Sequence, residues 1–270
     1  MSRQQLKHAQ RIVVKIGTAS LIDADKKINY RRIDRLAYTL SSLIQDGKEV
    51  LLVSSGAMGV GAAELGLAQR PKAIPDQQAV AAVGQVALMN LYSRFFWHYN
   101  QRVAQILMTR DVIDFPESLN NLKNNLKALL DQSILPVINE NDAVAIDELD
   151  HHIKFGDNDT LSAIVAEIIQ ADLLILLTDV DGFYTSNPNT DPQASKLDVV
   201  SQIDDQVLAM AGEAGTAFST GGMRTKLLAA DRLLKIGSQM VIMDSYDPND
   251  IFALLEGENI GTVFSTSKGD

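Results

Sequence analysis

Short segments rich in Val, Ile and Leu recur along the chain and constrain its fold most strongly. Each is apolar at successive positions, so a strand made from it must be buried on both faces. Helical patterns separate them, as in residues 31–46, where Gly47 follows as a stop signal. This alternation predicts an α/β protein, a three-layer α/β/α sandwich around a mainly parallel sheet. The predicted strands are 11–17, 49–55, 103–109, 134–139, 172–179 and 239–244.

The chain of 270 residues is 46% hydrophobic, enough for one large core. Residues 143–155 break the strand–helix rhythm and predict a projecting hairpin, and residues 186–195 predict a polar surface loop. No internal repeat or linker divides the sequence. We therefore expect a single domain, residues 1–270, with two functional halves.

Composition excludes several functional classes. The net charge is −10, with basic residues spread along the chain, so nucleic acids and anionic membranes are not expected as partners. The absence of cysteine excludes disulfides, thiol nucleophiles and thiolate metal sites. The N-terminal apolar run stops at Lys15, which argues against a signal peptide. We expect a soluble, cytoplasmic protein.

Polar residues collect just after the predicted strands. Parallel α/β folds bind ligands beyond the carboxyl ends of their strands, so we expect the chemistry at one edge of the sheet. The segments concerned are 15–18, 54–59, 139–142, 156–159, 178–182 and 220–226.

Lys15 interrupts a strand that is otherwise built for burial, so it must reach solvent or a partner. The Gly-rich turns SSGAMG and TGGMRTK are typical of anion sites, although ordinary turns also use Gly and Ser. Neither the P-loop pattern nor GxGxxG is present. Nucleotide binding by this chain therefore requires a sequence motif other than these two.

The segment Asp157-Asn158-Asp159 stands before a helical pattern, where one such residue would suffice as a cap. Carboxylates collected at one edge repel each other unless a cation lies among them; an exposed acidic loop is the alternative. Lys226 near a helix start favours a bound anion there. Together these charges suit phosphoryl transfer with Mg²⁺, whereas zinc is not expected.

The ordered motifs resemble the amino acid kinase superfamily and, within it, the glutamate 5-kinase family. The resemblance extends from about residue 11 to residue 265. Many members of the family carry a C-terminal PUA domain, which we do not expect here. The motifs are VVKIGT, LVSSGAMGVG, VINENDAVA, FGDNDTLSA, LLTDVDGFYT and STGGMRTK.

The resemblance implies ATP-dependent phosphorylation of the γ-carboxylate of L-glutamate to L-glutamyl 5-phosphate, the first step of proline biosynthesis. Residues from about 1 to 170 would form the amino-acid half and about 171 to 270 the nucleotide half. The implied catalytic residues are Lys15, Lys226 and Asp159. The implied glutamate ligands are Ser55, Asp142, Asp157 and Asn158. The implied ATP ligands are Lys15, Thr178, Asp179, Thr220, Gly221, Gly222, Met223, Arg224, Thr225 and Lys226.

Asp159 has two open roles: it can organise Lys15 and Lys226, or hold the Mg²⁺ that accompanies ATP, whose direct ligands the sequence does not identify. The resemblance also implies feedback inhibition by proline, and we expect a homo-oligomer and a hand-over of product to glutamate-5-semialdehyde dehydrogenase. The alternatives are a sister kinase acting on another carboxylate or carbamate and a non-catalytic amino-acid sensor. A dinucleotide-dependent oxidoreductase is disfavoured by the missing GxGxxG.

Overall fold

The computed structural model describes residues 2–23, 25–144, 157–188, 190–211 and 222–266. The chain forms two compact units. The continuous unit is Ile16–Phe155, and the discontinuous unit combines Met1–Lys15 with Gly156–Asp270. The predicted amino-acid half (about 1–170) and nucleotide half (about 171–270) are defined by ligand binding and not by compactness. They stay a prediction.

The six predicted strands are confirmed, with ends within one residue of those expected. The strand pairings within each unit are mainly parallel, which confirms the predicted α/β class. The strands are β1 (Arg11–Ile16), β2 (Glu49–Ser54), β3 (Val103–Met108), β4 (Leu135–Glu140), β5 (Leu173–Thr178), β6 (Phe183–Tyr184), β7 (Lys196–Leu197), β8 (Val199–Val200), β9 (Gln239–Asp244) and β10 (Thr262–Phe264).

In the continuous unit the strand order is β3-β4-β2, with both pairs parallel. In the discontinuous unit the order is β1-β5-β9-β10-β8, and β10 runs antiparallel to β9. A separate antiparallel pair, β6 and β7, flanks the predicted loop 186–195. The strands not predicted, β6, β7, β8 and β10, are too short to give a clear sequence pattern. Of the predicted hairpin at 143–155, residues 145–155 lie outside the described part of the chain.

Helices follow most of the strands. The predicted helix at 31–46 is confirmed: Asn29 caps it, and Ile33, Leu36 and Leu40 are buried. No helix in the described part of the chain is both long and apolar enough to cross a membrane. The helices are α1 (Ser2–Gln5), α2 (Thr18–Leu21), α3 (Tyr30–Gln45), α4 (Ala57–Glu64), α5 (Ile74–Trp97), α6 (Asp111–Asp114), α7 (Pro116–Asp131), α8 (Asn158–Ile168), α9 (Asp205–Met210), α10 (Met223–Lys235) and α11 (Asp250–Leu255), with a 3₁₀ turn at Leu6–His8.

Helices α4 and α5 pack backbone against backbone. A Cβ added to Gly84 would lie 1.8 Å from the carbonyl oxygen of Ala57, and one added to Gly61 would lie 2.1 Å from that of Val80. Only glycine allows this approach, because it has no side chain to separate the two helices. The crossing therefore fixes where the start of α4 sits against the middle of α5.

We predict that Gly84→Ala lowers stability by about 1–3 kcal/mol, because the added methyl group meets backbone that cannot rotate away. Helix propensity alone predicts the opposite sign, since Ala is the better helix former by about 1 kcal/mol. The matched control is Ala79→Gly at an exposed position of α5, which should lose about 1 kcal/mol. Urea unfolding measures both variants, and a stabilised Gly84→Ala protein would contradict the tight crossing.

Candidate active site

The first polar residue at the N-terminus of α8, Asp157, has a structural role in the helix. Asp157 has extended backbone and caps the helix: its Oδ1 accepts a hydrogen bond of 2.8 Å from the backbone N–H of Thr160. Its second oxygen, Oδ2, is buried and has no hydrogen-bond partner among the described residues. Asp157 therefore serves as the cap and still has one acceptor available.

Asp159, in the first turn of α8, binds two lysines. Its Oδ1 lies 2.6 Å from Nζ of Lys15, and its Oδ2 lies 2.9 Å from Nζ of Lys226. Asp159 is 1% exposed, Lys15 8% and Lys226 6%. Lys15 thus finds the partner that its place in a buried strand requires. The three side chains form one compact charge cluster within the discontinuous unit.

The two ammonium groups control the ionisation of Asp159. Burial by itself would raise the pKa of this carboxyl group, but the positive charges and hydrogen bonds of Lys15 and Lys226 outweigh burial and hold its pKa below the usual value. Asp159 is therefore a carboxylate at neutral pH. One carboxylate thus binds two ammonium groups.

Helix α10 begins beside this cluster. Gly222 is its N-cap residue and has no side chain to cap the first turn. The Thr225 hydroxyl donates to the carbonyl oxygen of Gly222 at 2.7 Å and lies 3.3 Å from Oδ2 of Asp159. Arg224 is exposed and Met223 partly exposed. Thr220 and Gly221, also predicted to bind ATP, lie outside the described residues.

Two further predicted ATP ligands follow β5. Thr178 is the last residue of that strand and is nearly buried, whereas Asp179 is exposed. The Thr178 hydroxyl donates to Oδ1 of Asp179 at 3.0 Å, and the Thr178 carbonyl accepts from the backbone N–H of Ser245 at 2.7 Å. These bonds fix the backbone at the carboxyl end of β5.

A cavity of about 200 Å³ lies in the continuous unit. Asp142 lines it together with Glu140 and Asn141, and Ala57 contributes from the start of α4. Ser55 is not among the lining residues; its backbone N–H donates to Ile16. The structure therefore places Asp142 at a cavity, as a ligand-binding residue requires.

The described residues contain no group of three or more His, Asp or Glu side chains arranged to hold a metal ion. Asp159 is a poor direct Mg²⁺ ligand, because each of its oxygens already binds an ammonium group that would repel the ion. Of the two roles left open for Asp159, its contacts correspond to the organisation of the lysines.

The sequence profile of the amino acid kinase family matches residues 10–244. The chain belongs to the amino acid kinase family.

Curated relatives of this amino acid kinase carry a common name. Glutamate 5-kinase from Listeria monocytogenes is 52% identical over 98% of this chain and 96% of its own length. The enzyme of that name from Enterococcus faecalis is 52% identical over 97% of both chains. That from Lactiplantibacillus plantarum is 51% identical over 95% of this chain and 97% of its own.

Solved structures confirm the amino acid kinase fold. UMP kinase from Bacillus anthracis superposes with a TM-score of 0.64 at 17% identity, covering 96% of this chain and 97% of its own. Isopentenyl phosphate kinase from T. acidophilum superposes with a TM-score of 0.65 at 18% identity, covering 94% and 99%. At these identities the likeness concerns the fold alone.

Sequence reasoning about this amino acid kinase missed two amide residues that line the cavity, Gln105 and the more deeply buried Gln85. Gln85, on α5, is 9% exposed, and its Oε1 accepts a hydrogen bond from Nδ2 of Asn139. The available signal was a single amide within the apolar run AVAAVGQVAL. A polar side chain at a buried helix position needs a hydrogen-bond partner, so this amide distinguishes Gln85 from its apolar neighbours.

We predict that Asp159→Asn lowers stability by about 3–5 kcal/mol at neutral pH, because two nearly buried ammonium groups lose their counter-charge. The matched control is Glu167→Gln, also on α8, which removes the exposed pair with Arg232 and should cost at most about 1 kcal/mol.

The stability that Asp159→Asn loses relative to wild type should decrease only at acidic pH. Because the folded-state pKa of Asp159 is depressed, its contribution is complete above the unfolded-state pKa of about 3.9 and disappears as pH falls through the lower folded-state value. Urea unfolding should therefore show a constant difference between wild type and Asp159→Asn above about pH 5, narrowing only below about pH 4. A difference that already narrows near neutral pH would contradict the depressed pKa.

Proposed function

We propose that this protein transfers the γ-phosphoryl group of ATP to the γ-carboxylate of L-glutamate, giving L-glutamyl 5-phosphate in the first step of proline biosynthesis. Relatives named glutamate 5-kinase, at 51–52% identity over nearly the whole chain, support this reaction. The observation that carries the proposal is the carboxylate of Asp159 bound to both Lys15 and Lys226.

The charge cluster suits the transition state of phosphoryl transfer. A γ-carboxylate oxygen of glutamate attacks the γ-phosphorus while the bond to the bridging oxygen of ADP breaks, and negative charge spreads over the transferred group. Lys15 and Lys226 stabilise that charge, and Asp159 holds both in position before ATP arrives. The attacking carboxylate is already ionised at neutral pH, so no general base is needed.

The nucleotide is assigned to the carboxyl end of β5 and the start of α10. Gly222, the N-cap residue of α10, has no side chain that could cap the first turn of the helix. Backbone N–H groups at an uncapped helix start bind phosphate oxygens well. Thr178, Asp179 and Thr220 to Lys226 remain the proposed ATP ligands. Mg²⁺ is proposed to arrive with ATP, where it neutralises phosphate charge.

Glutamate is assigned to Ser55, Asp142, Asp157 and Asn158. The buried Oδ2 of Asp157 and the cavity position of Asp142 support this assignment, because a free amino acid brings an ammonium group that needs carboxylate acceptors. Proline as a feedback inhibitor, a homo-oligomer, hand-over to glutamate-5-semialdehyde dehydrogenase and a cytoplasmic location remain predictions.

A hydroxylamine trap tests the reaction. Purified protein is given ATP, Mg²⁺ and a panel of acidic substrates, and any acyl phosphate appears as a hydroxamate. Hydroxamate from L-glutamate supports the proposal. Hydroxamate from another carboxylate identifies a sister kinase, and none from any substrate indicates a sensor that has lost transfer.

We predict that Lys226→Ala lowers kcat by about 10²–10³ with little change in the glutamate KM, because its ammonium acts on charge that develops during transfer. The control is Lys235→Ala on the same helix, where the lysine is exposed and pairs with Asp231. That variant should keep wild-type kinetics. An unchanged kcat in Lys226→Ala would remove this lysine from the catalytic group.

We predict that Asp142→Asn raises the glutamate KM at least about tenfold, since a charge-assisted bond to the α-ammonium is lost. Wild type should also reject N-acetylglutamate, whose amine is neutral, by a factor of about 10⁴. The ATP KM should barely move. Asp131→Asn, which removes an exposed pair with Lys127 in the same unit, is the control. If Asp142→Asn instead loses affinity for ATP and keeps its affinity for glutamate, Asp142 belongs to the nucleotide site and not to the glutamate site.

A further inference from the structure

The cavity of the continuous unit contains a buried amide whose orientation is fixed by its neighbours. Gln85 is 9% exposed and Asn139, at the carboxyl end of β4, is 2% exposed. Their side chains form a hydrogen bond of 2.9 Å. Gln85 also lines the cavity, together with Asp142.

The direction of this bond follows from a backbone group. The N–H of Glu140 can only donate, and it lies 2.9 Å from the side-chain oxygen of Asn139. An amide nitrogen could not accept that bond, so Asn139 must turn its NH₂ group towards Gln85. That NH₂ group requires an acceptor, so Gln85 presents its oxygen to Asn139. The NH₂ group of Gln85 therefore points away from Asn139.

This NH₂ group has no hydrogen-bond partner among the described residues, and it is not one of their fully enclosed unpaired atoms, so it is open to the cavity. Because the rest of the side chain is nine-tenths buried, the donor is held in place for a group that enters the cavity. The described residues that line the cavity include no Lys, Arg or His, and they include the acidic Glu140 and Asp142. Amide groups are thus the side-chain donors that this cavity offers to an anionic group.

We propose that Nε2 of Gln85 binds the α-carboxylate of the amino-acid substrate, while Asp142 binds its α-ammonium group. Gln85 is then a specificity-determining residue for a zwitterion, and Asn139 is a positioning residue that keeps the donor turned towards the substrate. The inference rests on the proposed function, because it takes the amino acid to be the acceptor substrate. A fixed donor discriminates against a ligand that cannot accept its bond.

The experiment compares Gln85→Glu with wild type on two substrates, L-glutamate and L-isoglutamine, in which the α-carboxylate is a carboxamide. The new carboxylate can still accept from Asn139, so the buried bond survives. It presents an oxygen to the cavity, which repels an α-carboxylate but accepts from an α-carboxamide. We expect kcat/KM for glutamate to fall by about 100-fold or more and the preference to shift towards isoglutamine, with the ATP KM within about twofold of wild type.

Asn139→Asp tests the fixed orientation separately. The new side chain still accepts from the Glu140 N–H but offers Gln85 a second acceptor, so the Gln85 amide should turn over and present its oxygen to the cavity. We expect the glutamate KM to rise in this variant as well. The control is Gln77→Glu, also on α5, whose Oε1 accepts a bond from Arg70 outside the cavity; it should keep wild-type kinetics.

If Gln85 has only a structural role, Gln85→Glu should lower kcat/KM for L-glutamate and L-isoglutamine by the same factor. That result overturns the inference, and so does wild-type selectivity between the two substrates in folded Gln85→Glu. Unchanged glutamate affinity in folded Asn139→Asp overturns the fixed orientation. If wild type makes no hydroxamate from glutamate, the proposed function fails. Calorimetric titration with L-glutamate and L-isoglutamine then tests the role of Gln85 separately from the reaction. A binding preference that reverses between wild type and Gln85→Glu supports the inference. Failure of wild type to bind either ligand overturns it.

Discussion

Asp159 binds an ammonium group on each of its oxygens, and the discontinuous unit is arranged around that double contact. Lys15 comes from the first strand of the chain, Lys226 from the first turn of α10, and Asp159 from the first turn of α8. Neither lysine could remain nearly buried without a counter-charge. The same carboxylate thus offsets the cost of burying both lysines and holds their ammonium groups close to each other.

Among the described residues, the cluster places two lysines around the carboxylate of Asp159. An ion pair of this kind is by itself weak evidence for stability. The uncapped start of α10 adds the positive end of a helix dipole. Two ammonium groups beside the start of a helix favour the binding of an anion such as phosphate.

The sequence predicted the parts of the fold that follow from local patterning. β5, for example, is buried at all of its positions and appears in the sequence as an unbroken apolar run. Lys15 and Asp159 could be singled out because charges at such places need partners, but their contact joins distant segments that no local pattern connects. The same limit applies to Gln85, whose significance depends on Asn139 and the cavity, and to the approach of Gly84 to Ala57, which is visible only in three dimensions.

The division of the chain also bears on how the protein is made. Residues Ile16–Phe155 form a unit of uninterrupted chain and can collapse as soon as they leave the ribosome. Met1–Lys15 belong with residues that are synthesised only after that whole unit. Until Asp159 has emerged, Lys15 lacks the carboxylate that it binds in the folded protein. The first strand of the chain therefore supplies a cation whose two cluster partners are synthesised last, and the charge cluster is completed only after the continuous unit has been made.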